Sequence, residues 1–92
     1  GPSMAVLVRL ENEMPPVLIP PYSLGADTPV AEVMQAACAF FRQDPATATL
    51  RNMVTGAPVP VEGTLADHGL GDWSALTLGL PPGQPYRRTS FG

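Results

Sequence analysis

Apolar and polar residues alternate near both ends of this chain and recur every three to four positions in its middle. Met4, Val6, Val8 and Leu10 are all apolar, while Ala5, Leu7, Arg9 and Glu11 between them are mixed. That period of two predicts a strand with one face on a core. Glu11-Asn12-Glu13 and then Pro15-Pro16 predict a turn. Val17-Leu18-Ile19 resumes as a second strand, which Pro20-Pro21 ends or confines to an edge because proline cannot donate to a ladder. From Asp27-Thr28-Pro29 the period changes to that of a helix: a capping oxygen, proline at the first helical position, then Val30, Val33/Met34, Ala37/Cys38 and Phe40/Phe41 on one stripe. Glu32 suits the first turns and Arg42 the last, and Asp44-Pro45 closes the helix. Thr47 to Val54 predicts a third strand, turned by Thr55-Gly56-Ala57. Val59-Pro60-Val61 predicts a short fourth strand at an edge. Ser74 to Leu80, with Leu76, Leu78 and Leu80 alternating against Ala75, Thr77 and Gly79, predicts a fifth. The expected order is ββαββ, a turn, and a final strand, an α+β fold.

Length and composition narrow this further. At 92 residues the chain is one domain, with Gly1-Pro2-Ser3 read as the remnant of a cleaved tag, residues 4–80 as the folded unit, and residues 81–92 as a Pro/Gly/Arg-rich linker or tail. The chain is expected to be cut from a longer protein. No stretch approaches the roughly 18 consecutive apolar residues of a membrane-crossing helix. All five basic residues are arginines, and three of them stand against all eight acids in residues 4–80, a net of −5. An acidic domain without a basic stripe is a poor match for a phosphate backbone or an anionic membrane surface, so neither nucleic acid nor membrane is an expected partner. A single cysteine (Cys38) and a single histidine (His68) leave no internal disulfide and no zinc-ligand set, and no metal or other cofactor is expected. The cysteine usage and the lack of a signal-peptide pattern predict an intracellular, cytoplasmic or cytoskeletal location.

The run Gly63-Thr64-Leu65-Ala66-Asp67-His68-Gly69-Leu70-Gly71-Asp72-Trp73-Ser74-Ala75-Leu76-Thr77-Leu78-Gly79-Leu80 resembles the G-x-T-L-x-D-Y-x-I … S-T-L-x-L-x-L signature of ubiquitin-like domains. With the strand starting at Met4 and the Asp-Thr helix start, the likeness extends over residues 4–80. It implies a β-grasp fold: a mixed sheet wrapped on one helix, and a short helical turn, capped by Thr64 and plugged by Leu65 and Leu70, before a final central strand. It also implies that the first and last strands are parallel neighbours, with the third antiparallel to the last. Conjugation in this family uses a free C-terminal Gly-Gly. Here the strand runs into Pro81-Pro82 and the chain ends Ser90-Phe91-Gly92, so a non-conjugating module is expected. The Met4-Ala5-x-Leu7-Val8 opening also resembles the N-terminal domain of the trypanosome flagellar-pocket-collar scaffold, which implies a cytoskeletal setting.

The chemistry-bearing residues fit structural roles. A catalytic His68 needs a nucleophile and an orienting carboxylate within reach, and the sequence offers no such pair. At the matching position the family holds a tyrosine that ties a loop to the turn, so His68 is expected to bond backbone near Gly63. Cys38, on the apolar side of the helix beside Phe41, reads as core, and Phe40-Phe41 read as core and near-core. Arg87-Arg88-Thr89-Ser90 fits a basic-directed kinase pattern, which an ordinary solvated tail matches equally well. The expectation is a non-catalytic protein-interaction module without a small-molecule substrate: the N-terminal ubiquitin-like domain of a larger intracellular scaffold or cytoskeletal protein. The alternatives are a component of a bacterial specialised secretion system, or a regulatory appendage of an enzyme. The partner is another protein. Its expected binding residues are Leu7, Arg9, Arg51, Met53, Trp73 and Thr77, on the helix-free sheet face and its rim, with the third-strand register left open between Arg51/Met53 and their neighbours.

Overall fold

The computed structural model of the chain describes residues 3–20 and 23–81. The expected tail beyond Pro81, including Arg87-Arg88-Thr89-Ser90, lies outside the described residues, as do Gly1, Pro2, Pro21 and Tyr22. The elements are β1 (Val6–Leu10), β2 (Val17–Leu18), α1 (Val30–Phe41), β3 (Thr49–Asn52), a 3₁₀ turn (Ala66–His68) and β4 (Ser74–Gly79). The sheet runs β2-β1-β4-β3, with β1 and β4 parallel and the two outer pairs antiparallel.

Alternation decides the two faces. Val6, Val8 and Leu10 of β1, Leu50 of β3, and Leu76 and Leu78 of β4 are buried with Val30, Val33, Met34, Ala37 and Cys38 of the helix. Leu65 and Leu70, either side of the 3₁₀ turn, close the end of that core. Truncating a fully buried leucine such as Leu76 costs about 2–5 kcal/mol through lost transfer energy and the cavity left behind.

Two local expectations are corrected. The Val59-Pro60-Val61 strand is not formed: Pro58 makes an isolated bridge to Arg51, and Val59 N–H donates to the Leu50 carbonyl at 2.9 Å. Pro58 and Pro60, on either side of Val59, have no N–H to donate, so a ladder does not continue past that one bond. Asp27-Thr28 does not cap the helix. Pro29 is the N-cap residue, the Thr28 hydroxyl accepts the Gly25 N–H at 2.9 Å, and Val30 N–H donates to the Gly63 carbonyl at 3.0 Å. A loop that docks onto the helix start thus replaces the side-chain cap. Of the two phenylalanines at the helix end, Phe41 packs against the core, and Phe40, half exposed, meets it edge-on at 4.9 Å.

Candidate interaction face

Register places the helix-free face residue by residue. Leu7 is opposite Leu18 of β2 and Ala75 of β4. The pairing of Asn52 with Leu76 continues to Met53 and Ala75, where Met53 N–H donates to the Ala75 carbonyl at 2.9 Å. Residues directly opposite share a face. Leu18, Leu7, Ala75 and Met53 therefore form one apolar row across all four strands. Two residues along the strands, Arg9, Thr77 and Arg51 form a parallel row. The open register of the third strand is thereby fixed: Arg51 and Met53 point outward, Leu50 inward.

Five of the six expected residues reach solvent. Leu7, Arg9 and Met53 are half-buried, Arg51 is exposed, and Trp73 is 63% exposed. Thr77 is the correction, at 2% exposure. The Arg9 side chain lies across it, Nε donating to Thr77 Oγ1 at 2.9 Å and Nη1 to the Glu13 carbonyl at 3.4 Å. Alternation assigns Thr77 a face, but a long neighbouring side chain covers it on that face. Leu18, exposed at 37%, joins the row unforeseen. Its place in the second strand was legible, whereas its face follows only from the pairing with Leu7.

Trp73 stands where the chain enters β4, with φ 65°. Left-handed backbone is rare for a bulky residue. The surrounding hydrogen bonds hold it: Trp73 N–H donates to the Ala5 carbonyl at 2.6 Å, and Ala5 N–H donates to Asp72 Oδ1 at 2.7 Å. Gly71 N–H donates to Ser74 Oγ at 2.9 Å, closing the turn. The start of β1 and the entry to β4 thus clamp one another, and the indole is displayed at the rim.

The remaining chemistry-bearing groups are engaged internally. His68 Nε2 donates to the Glu62 carbonyl at 2.6 Å, one residue from the loop position expected. Asp67 Oδ2 accepts the Thr64 N–H at 2.9 Å, and Thr64 Oγ1 accepts the Asp67 N–H at 3.2 Å, a reciprocal cap on the turn. The Thr64 backbone N–H, then its hydroxyl, hold the Asp67 carboxyl below its ordinary value, with His68 adding to the effect and desolvation opposing it. Burial, and then the charge of Asp44, push the Cys38 thiol up. That thiol donates to Met34 Sδ at 3.7 Å inside the core.

No protein-family model and no curated protein matches the chain. Solved structures do. The ubiquitin-like domain of an Arabidopsis thaliana protein superposes with a TM-score of 0.72 at 11% identity, over 96% of this chain and 87% of that one. The ubiquitin of Caldiarchaeum subterraneum gives 0.70 at 18% identity, over 90% and 99%. ATBAG1, in a complex with HSP70, gives 0.67 at 11% identity, and there the match covers 86% of this chain but only 41% of ATBAG1. With its helix, four-stranded order and parallel central pair, the chain has the ubiquitin-like β-grasp fold.

Proposed function

We propose that this chain is a non-catalytic protein-interaction module that binds its partner through the helix-free sheet face, within a larger intracellular scaffold or cytoskeletal protein. The carrying observation is the row Leu18, Leu7, Ala75 and Met53, lying beside Arg9 and Arg51 on a chain whose formal net charge is −3. Apolar side chains with arginine and a rim tryptophan are the composition of an interface centre. In ubiquitin-like domains the recognition patch is apolar and on this face. Here the positions around Thr77 and Gly79 are polar or lack a side chain, and the apolar row lies nearer the start of β1. A partner other than ordinary ubiquitin receptors follows. The non-catalytic reading is supported by His68, whose Nε2 is committed to a backbone carbonyl, and by Cys38, whose thiol is buried and hard to ionise.

The test takes the partner recovered with the wild-type chain and measures its affinity for Leu7→Asp, Arg51→Glu and Trp73→Ala. Ala39→Asp, on the exposed side of the helix, is the control. The sheet-face variants should weaken binding and the control should not. The opposite pattern moves the site to the helix.

A further inference from the structure

We propose a modification site at the end of β3: the Met53 thioether, which hydroperoxides oxidise to the sulfoxide, releasing the partner. The inference rests on the interaction-module reading and deepens it.

The chain has four methionines, and the fold separates them. Met34 is buried in the core, and Met4 packs against that core. Met14 is exposed in the turn between β1 and β2 and belongs to neither row of the sheet face. Met53 is half-buried, reaches solvent, and ends the apolar row.

Chemistry then selects its sulfur. Leu18, Leu7 and Ala75, the rest of the row, carry no group that a hydroperoxide attacks. Peroxides react with thiolate, and the Cys38 thiol is buried and hard to ionise, so it does not compete. A thioether needs no ionisation. Its lone pair attacks one peroxide oxygen, the O–O bond breaks, and a proton passes to the departing hydroxide or alkoxide. Sulfur gives up two electrons and becomes the sulfoxide, while the peroxide is reduced to water or an alcohol.

The local backbone fixes where the new oxygen appears. Met53 N–H donates to the Ala75 carbonyl at 2.9 Å. Immediately after it, the Val54 and Thr55 N–H groups donate to Asn52 Oδ1 at 2.9 and 3.0 Å. Held on both sides, Met53 keeps its place on the face, and the oxygen enters the apolar row. A partner seated there must strip water from it, and Leu7, Leu18 and Ala75 offer no side-chain donor in exchange. The fold itself tolerates the change. The side chain is partly in water, and the exposed Arg51 lies on the same face about 6.6 Å along the strand, where its guanidinium can donate to the sulfoxide.

The test exposes the full chain to hydrogen peroxide at neutral pH and follows each methionine by peptide mass spectrometry. Affinity is then measured for the partner recovered with the wild-type chain. In a chain carrying Met4→Leu and Met14→Leu, oxidation should weaken binding about tenfold with the far-UV circular dichroism unchanged. Methionine sulfoxide reductase with a thiol should restore it. A Met53→Leu chain, close to volume-conserving, should bind as wild type before and after peroxide. Met53 oxidised no faster than Met34, or equal affinity of oxidised and reduced chains, overturns the inference. So does a Met53→Leu chain that loses as much affinity on oxidation. If peroxide leaves binding intact while Leu7→Asp weakens it, the module reading stands and only the switch falls; if neither weakens it, the reading falls as well.

Discussion

Replacing Trp73 by alanine and by glycine separates what its indole contributes from what its backbone costs. The indole is 63% exposed, so little more than a third of its surface is removed from water. At about 25 cal/mol per Å² over a side chain of roughly 250 Å², its burial contributes about 2 kcal/mol at most. The backbone acts in the other direction. At φ 65° a residue with a Cβ carries strain of about 1–2 kcal/mol that glycine escapes. Glycine returns about 0.5–1 kcal/mol through the greater freedom of its unfolded chain. Trp73→Ala should therefore destabilise by about 2 kcal/mol, and Trp73→Gly by about 1 kcal/mol less. For a domain of this size the two variants should melt roughly 4–8 °C apart, glycine higher. The assay is urea unfolding followed by far-UV circular dichroism, because the substitution removes the only tryptophan. An alanine variant as stable as the glycine variant would refute the backbone cost. Both should lose partner affinity, and a glycine variant that binds normally would show that the indole is no anchor.

Three further outcomes follow from the same structure. His68→Ala should cost about 1 kcal/mol by removing the donor to the Glu62 carbonyl, and leave partner binding intact; an unchanged denaturation midpoint would show that this bond contributes nothing. The lowered Asp67 carboxyl binds fewer protons folded than unfolded, so its contribution is present above the unfolded value of about 3.9 and lost as pH falls through the lower folded value. Asp67→Asn should therefore flatten the acid limb of stability below about pH 5, and parallel curves for variant and wild type would contradict the cap. A Cβ at Gly79 would sit 2.7 Å from Thr49 Oγ1, so Gly79→Ala should destabilise alone and much less in a Thr49→Ala background; additive losses would place the strain elsewhere.

What the sequence reveals here divides along physical lines. Alternation identifies Val6, Val8, Leu10, Leu76 and Leu78 as one buried set, because burial on a sheet face is periodic. It cannot give depth on the other face, where Arg9 reaches over Thr77 from a neighbouring strand. Nor can it place Leu18, since a two-residue strand flanked by prolines carries no pattern of its own and takes its face from the partner strand. The helix stripe was readable from spacing. Its start was not, because the Gly63 carbonyl that meets Val30 N–H comes from a loop more than thirty positions away. Of the candidate site, the arginines, Leu7 and the rim tryptophan were legible. The row that organises them required the register.

Site-specific photo-crosslinking in cells tests the sheet-face interface most directly. A photoreactive residue is placed in turn at Leu7, Leu18 and Met53 on the sheet face, and at Gln35 and Ala39 on the exposed side of the helix. The account predicts one shared adduct from the three sheet positions and none from the two helix positions. An adduct formed from Gln35 and Ala39 but not from Leu7, Leu18 or Met53 would contradict it.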